Sequence, residues 1–346
     1  MTNEENRELE AYLWDPAAKP SAEVQAIERR LAPARFDPAL RPLIRPGTTR
    51  ARHRMYGRPL FALAATVAIL VMSASAFWSW RSSWPAGAAW PVTIERDSSP
   101  GKSVTSQLAL DQPLQLDSTA SAQVAIARIG TMRLAPGSVL TVSETTSTRH
   151  RVLLNRGAAN VRIWAPPGRF AFRTPAGNVI DLGCIFDLSV DADGTSRVHV
   201  DTGWVQMENG WGESLVPAGA SSVMTAATRP GVPIFDDAAP EFATGVRAIE
   251  RGADEAARNG TMDVVLRTAR TRDVLTLLML ATTSPASVRR PIIERAAQLF
   301  PPPPTISVNA IAEGDSDQLW RWYGTLDLPP SKSWWLNWRD ALPRFR

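Results

Sequence analysis

Three patterns of apolar and polar positions follow one another along the chain. From Leu60 to Trp80 the residues read LFALAATVAILVMSASAFWSW without a charge, and about 20 helical residues cross the hydrocarbon of a bilayer. The pattern predicts one transmembrane helix over residues 59–81. Pro59 stands where a helix start loses nothing by lacking an N–H. Trp78, Trp80 and Trp84 gather at the far end, where amphipathic rings favour the lipid–water interface. A core helix of this length would keep a polar face, and a cleaved leader would not sit behind so long a preceding segment.

After the span the period falls to two, the repeat of a half-buried strand. Leu108/Leu110, Leu114/Leu116, Val124/Ile126 and Met132/Leu134 are short alternating pieces. Val152–Leu154, a turn at Asn155-Arg156-Gly157 and Val161/Ile163 read as two strands joined by that turn. From Val179 to Val190, Ile180, Leu182, Cys184, Phe186, Leu188 and Val190 point one way, and Asp181, Gly183, Asp187 and Ser189 the other. Asp191-Ala-Asp-Gly194 has turn chemistry, and Val198 and Val200 continue a return strand with Arg197, His199 and Asp201 outward, so a hairpin is expected. Trp204, Val205 and Met207 lead to a second turn near Asn209-Gly210. Residues 92–238 are expected to form an antiparallel all-β domain, sandwich or barrel-like.

Beyond Asp236 the period becomes helical. Val246 and Ile249, Val264 and Leu266, the apolar run Val274–Leu280 and the stretch Arg290–Phe300 predict helices. The last of these stops at Pro301–Pro304, since a proline run cannot continue a helix. Residues 239–346 are thus a helical C-terminal region. It carries Trp320, Trp322, Tyr323, Trp334, Trp335 and Trp338, which either form an exposed docking patch or pack the last helices together.

Ahead of the span, residues 1–58 form an arm that is acidic and then basic, with seven acids and two bases in residues 1–28 and nine arginines and one aspartate in residues 29–58. Leu9, Tyr12 and Leu13 share one short helical face. Val24, Ile27 and Leu31 share another, opened by Ser21 with Glu23 in its first turn. Neither stripe buries much surface alone, so the arm either folds against a partner or is a tether whose arginines rest on anionic lipid. Arg41, Arg45, Arg50, Arg52, Arg54 and Arg58 precede the span and Arg81 alone follows it closely. The positive-inside rule then puts the N-terminus in the cytoplasm and the C-terminal part outside.

Composition narrows the chemistry. A net charge of +4 over 346 residues, with Lys scarce beside Arg, does not suggest a nucleic-acid surface. One cysteine, Cys184, excludes an intramolecular disulfide; its strand position marks it as an inward core residue rather than a redox thiol. Asp191 and Asp193 lack the loop and terminal glutamate of a calcium site. His53, His150 and His199 show no metal partner at recognisable spacing. Nucleotide-binding, zinc-protease and hydrolase signatures are missing. No catalytic residue, cofactor or metal site is expected.

The order of motifs resembles a family. The Leu153-Leu-Asn-Arg-Gly157 stretch, Phe170-Ala-Phe-Arg-Thr-Pro175, Asp181-Leu-Gly-Cys-Ile-Phe186, Val200-Asp-Thr-Gly-Trp-Val205 and Val216-Pro-Ala-Gly219 resemble the FecR domain over roughly Lys102–Thr225. Cys184 replaces the family's more usual threonine. A subgroup with "DLGC" here, and a segment similar to Pro230-Gly-Val-Pro-Ile-Phe-Asp-Asp-Ala238, is the nearer resemblance. Asp273–Leu277, Arg289–Pro304 and Gly314–Leu328 resemble its helical tail. The resemblance implies an inner-membrane regulator that senses an envelope signal outside, through an exported or outer-membrane protein, and passes it to a cytoplasmic sigma factor of the extracytoplasmic-function class. Partner contacts are expected at Leu13, Trp14, Val24, Ile27 and Leu31 in the arm and at Trp320, Trp322, Trp334 and Trp335 in the tail. An anchored envelope scaffold and an enzyme are the competing readings; acids clustered in a deep pocket would mark the enzyme.

Overall fold

The computed structural model describes residues 22–32, 57–96, 103–252 and 255–328. The expected contacts Leu13, Trp14, Trp334 and Trp335 lie outside them, as do Leu9, Tyr12 and Trp338. The chain divides into two units, Met1–Val67 and Ala68–Arg346. The first holds helix α1 (Ala22–Leu31) and the start of helix α2 (Gly57–Ser82). Among the described residues no helix is long and apolar enough to cross a membrane. Within α2, Ile69, Leu70, Val71 and Met72, a full helical turn, are all more than half exposed.

After α2, the described residues of the second unit form fifteen strands arranged as two sheets that share one strand. The first sheet runs β2 (Ser103–Leu108), β1 (Trp90–Arg96), β4 (Ala120–Ile126), β5 (Gly130–Leu134), β7 (His150–Ile163), β10 (Ile185–Val190), β11 (Ser196–Thr202), β14 (Ala220–Met224) and β15 (Ile234–Phe235). The second runs β3 (Pro113–Gln115), β6 (Val139–Thr145), β7 again, β8 (Phe170–Thr174), β9 (Gly177–Asp181), β12 (Trp204–Asn209) and β13 (Gly212–Pro217). The inner faces meet: Phe186 of β10 packs edge-on against Phe172 of β8, with ring centroids 6.1 Å apart. The architecture is mixed rather than wholly antiparallel, because β7 and β8 pair in parallel.

Two expected turns take other forms. Asn155-Arg156-Gly157 reverses nothing: β7 is one strand of 14 residues that leaves the second sheet and enters the first at this point. Gly157 sits at φ 101°, where an L side chain is strained. A Cβ there would collide with the Cβ and Oγ of Ser138. Ser138 is fully buried, and its hydroxyl accepts the Ala158 N–H at 3.1 Å and donates to the Ala135 carbonyl at 2.6 Å. The side chain of Ser138 thus occupies the space that residue 157 leaves open.

Conversely, Val179–Val190 is two strands. β9 belongs to the second sheet and β10 to the first, and the chain crosses between them at Leu182–Cys184 with Gly183 at φ 90°. The crossing flips the side-chain phase. Asp181, read as outward, is fully buried, as is Cys184. Its carboxylate accepts the Cys184 backbone N–H at 2.9 Å and the Cys184 thiol. The Asp-Leu-Gly-Cys motif is therefore a closed polar turn inside the sandwich.

Helices α3 (Pro240–Glu250), α4 (Glu255–Thr268), α5 (Val274–Thr283), α6 (Ala286–Leu299), α7 (Val308–Glu313) and α8 (Ser316–Tyr323) follow. Every residue from Val274 to Ala281 is buried, and together with Phe242, Val246, Ile292, Ile293 and Trp322 they extend the sandwich core without a break. Asp237 clamps the junction, accepting from Arg270 at 3.2 Å and Arg272 at 3.1 Å. Arg272 also stacks 4.3 Å from the ring centroid of Phe235.

Two consequences can be measured. Gly157→Ala, facing both positive φ and Ser138, should destabilise the chain by about 3–4 kcal/mol, whereas Gly137→Ala, at φ 76° with open space around it, should cost about 1 kcal/mol. Equal shifts in thermal unfolding would contradict this. His150 is the second case. It is buried, edge-on to Trp90, with Nδ1 2.9 Å from the Thr145 hydroxyl, which itself accepts the Trp90 indole N–H at 3.2 Å. Burial, then the charges of Arg169 and Arg151, pull its pKa down to about 4. A folded pKa below the unfolded 6.5 means that protons bind the unfolded chain first. Stability should be complete above pH 6.5 and fall by up to about 3 kcal/mol between pH 6.5 and 4. His150→Gln should flatten that slope in denaturant titrations across the same range.

Candidate functional site

In-register pairing lines up one polar residue from each of five neighbouring strands on the outer face of the first sheet. Arg133 of β5 stands opposite Asn160 of β7, Asn160 opposite Asp187 of β10, Asp187 opposite His199 of β11, and His199 opposite Ser221 of β14. Strand alternation puts their neighbours Leu134, Ala159, Leu188 and Val198 in the core. The face is a groove of about 620 Å³. Asp201, two residues beyond His199 on the same side of β11, and Asp236, just past β15, close around the ring.

Hydrogen bonds fix each group's orientation. Asn160 donates to Asp187 Oδ1 at 2.8 Å. His199 Nε2 lies 2.8 Å from Asp236 Oδ2, and Ser221 Oγ donates to Asp236 Oδ1 at 3.2 Å. His199 Nδ1 then faces Asp187 Oδ2 at 3.9 Å and Asp201 Oδ1 at 3.7 Å. Burial lowers the pKa of the imidazole, but its hydrogen bond to the Asp236 carboxylate and the charges of Asp236, Asp201 and Asp187 raise it more, and the net direction is upward. The cluster favours a positive charge at its centre. It is not a nucleophile relay, because the Ser221 hydroxyl is bound to Asp236 rather than to a ring nitrogen.

The consecutive acids Asp236 and Asp237 face opposite ways. The first reaches His199 and the second holds Arg270 and Arg272 of the helical region. A second cavity, about 750 Å³, lies between β14 and the helices. Its inner charges serve the fold: Arg247 and Glu250 pair at 3.0 Å and also bind the Val232 carbonyl and N–H.

Of the expected partner contacts, Val24 is half-buried, and Ile27 and Leu31 are 58% and 60% exposed on α1. Trp320 is 46% exposed and packs edge-on to Tyr323 at 5.3 Å. Trp322 is fully buried and fills the helical core instead of a surface patch. The His199 cluster is not among the expected sites because the ring's hydrogen-bond partner, Asp236, stands 37 residues away in sequence. The signal lay in the hairpin: a turn at Asp191–Gly194 sets Asp187 across from His199.

The sign of the His199 shift is open to measurement. Its ring resonances in NMR should titrate above pH 6.5, and Asp236→Asn should move the midpoint down; an unmoved midpoint would remove Asp236 as the cause.

Two crystal structures of a Parabacteroides distasonis ATCC 8503 protein, provisionally described as an anti-sigma factor, are similar to this chain at 20% identity and a TM-score of 0.32. Each alignment covers 39% of this chain and 63% of the other, so this chain spans less than two thirds of those structures. No family model and no curated protein matches the chain, and the FecR resemblance rests on the order of its motifs.

Proposed function

We propose that the chain is a FecR-like, single-pass inner-membrane regulator, not an enzyme. Its arm binds a cytoplasmic sigma factor, and its β-sandwich and helical tail receive an envelope signal from an exported or outer-membrane protein. The observation that carries this reading is α1, a helix whose apolar residues Ile27 and Leu31 stand in solvent. An isolated helix of ten residues is marginal in water and gains stability by laying such a face on a partner. The uncharged run Leu60–Trp80 and the arginines before it support the membrane location and the orientation, N-terminus inside and C-terminus in the periplasm.

A device for passing a signal along the chain lies at the end of α2. Arg128, on the turn between β4 and β5, donates to the carbonyls of Trp80 at 3.0 Å and Ser83 at 3.1 Å. Its guanidinium also stacks 4.3 Å from the Trp80 ring centroid and 5.5 Å from that of Trp84. A cation at a helix C-terminus meets the negative end of its dipole. Reorientation of the sandwich would turn the end of the helix with it.

Purification of the tagged chain should bring down a sigma factor, and Ile27→Asp with Leu31→Asp should lower that affinity at least about 100-fold, since each apolar anchor is worth about 1.5–3 kcal/mol. No sigma factor recovered, together with unchanged transcription after deletion of residues 1–50, would overturn the regulator reading and leave an anchored scaffold.

A further inference from the structure

We propose that Asp187, His199 and Asp201 form a binding site for a divalent transition-metal ion, with Asp236 as the outer partner that orients the histidine. The site is independent of the regulator reading. Its starting point is a mismatch of lone pairs. With Nε2–H donated to Asp236, the neutral imidazole turns the Nδ1 lone pair toward two carboxylate oxygens at 3.7 and 3.9 Å. Three electron-rich atoms that converge in this way favour a cation between them, which is either a proton on Nδ1 or a metal ion.

The geometry favours the metal. The three ligand atoms all lie within 4.8 Å of one another. Ligands about 2.0–2.1 Å from a tetrahedral zinc are about 3.3 Å apart, so the imidazole must close on each carboxylate by about half an ångström, and the two carboxylates on each other by at most about 1.5 Å, within reach of rotation of exposed side chains. Two of the three inner groups already have their outward atom occupied: Asn160 holds Asp187 Oδ1, and Asp236, itself held by Ser221, takes His199 Nε2. Metal-bound histidines are commonly oriented by a carboxylate on the second nitrogen in this way. A single Nδ1–H could satisfy only one of the two carboxylates well, whereas a dication balances both. One imidazole and two carboxylates suit Zn²⁺, Mn²⁺ or Fe²⁺. The side chains are 37–54% exposed, which leaves coordination positions for water or an incoming ligand.

The ligands come from both strands of one hairpin, and Asp236 adjoins Asp237, which grips the helices. Metal binding would therefore stiffen the junction between sandwich and tail.

The test uses the full chain in nonionic detergent, stripped with a chelator and titrated with Zn²⁺ against a chromophoric competitor. One Zn²⁺ per chain is expected, weakened about 100-fold by Asp201→Asn or His199→Gln and about 10-fold by Asp236→Asn. Zn²⁺ should raise the unfolding temperature of the wild type and not of Asp201→Asn. That variant changes an exposed carboxylate, so the comparison stands even if His199→Gln folds poorly. Wild-type uptake no greater than that of Asp201→Asn would overturn the site and leave a proton as the only occupant.

Discussion

The described architecture depends on β7 being shared. Two sheets that pack face to face usually join through loops, whereas here one 14-residue strand pairs first with β6 and β8 and then with β5 and β10. The ladder must change partners midway. At that point the strand needs a residue without a side chain at Gly157 and a hydroxyl at Ser138 to take the hydrogen bond that the ladder drops. Buried backbone groups left without partners cost about 1–3 kcal/mol each, so the bend survives only because both residues are present.

The shared strand also decides which side chains face solvent. Because β7 carries its alternation into the first sheet, Asn160 emerges on the outer face between Arg133 and Asp187, and the polar row reaches His199 in register. The same alternation drives Ala159, Leu188 and Val198 inward. A one-residue slip anywhere along this row would exchange core and surface. The acids gathered around His199 are tolerated because that face is partly solvated, where like charges repel only weakly.

Core continuity governs the rest of the unit. The stretch Val274–Ala281 is buried on every side and packs with sandwich and tail residues alike, so strands and helices share one core. Trp322 is spent on that packing, with its indole nitrogen unpartnered among the described residues. Trp320, one turn face away, stays outside.

The sequence by itself determined the succession of elements: an uncharged helix, short alternating strands, then apolar-periodic helices. These follow from local periodicity and turn chemistry, and the hairpins at Asp191–Gly194 and Gly210 were legible for the same reason. Sheet membership was not. Gly157 reads as a turn and Gly183 as one position within a strand, because a glycine at positive φ can reverse a chain, bend it or pass it to another sheet. Only contacts far apart in sequence, Ser138 with Ala158 and Leu182 with Trp204, choose between these. The His199 site was half legible: the hairpin places Asp187 opposite the ring, but Asp236 arrives from 37 residues away. Only the tertiary structure could bring that carboxylate to the second ring nitrogen and so decide which atoms are left facing one another.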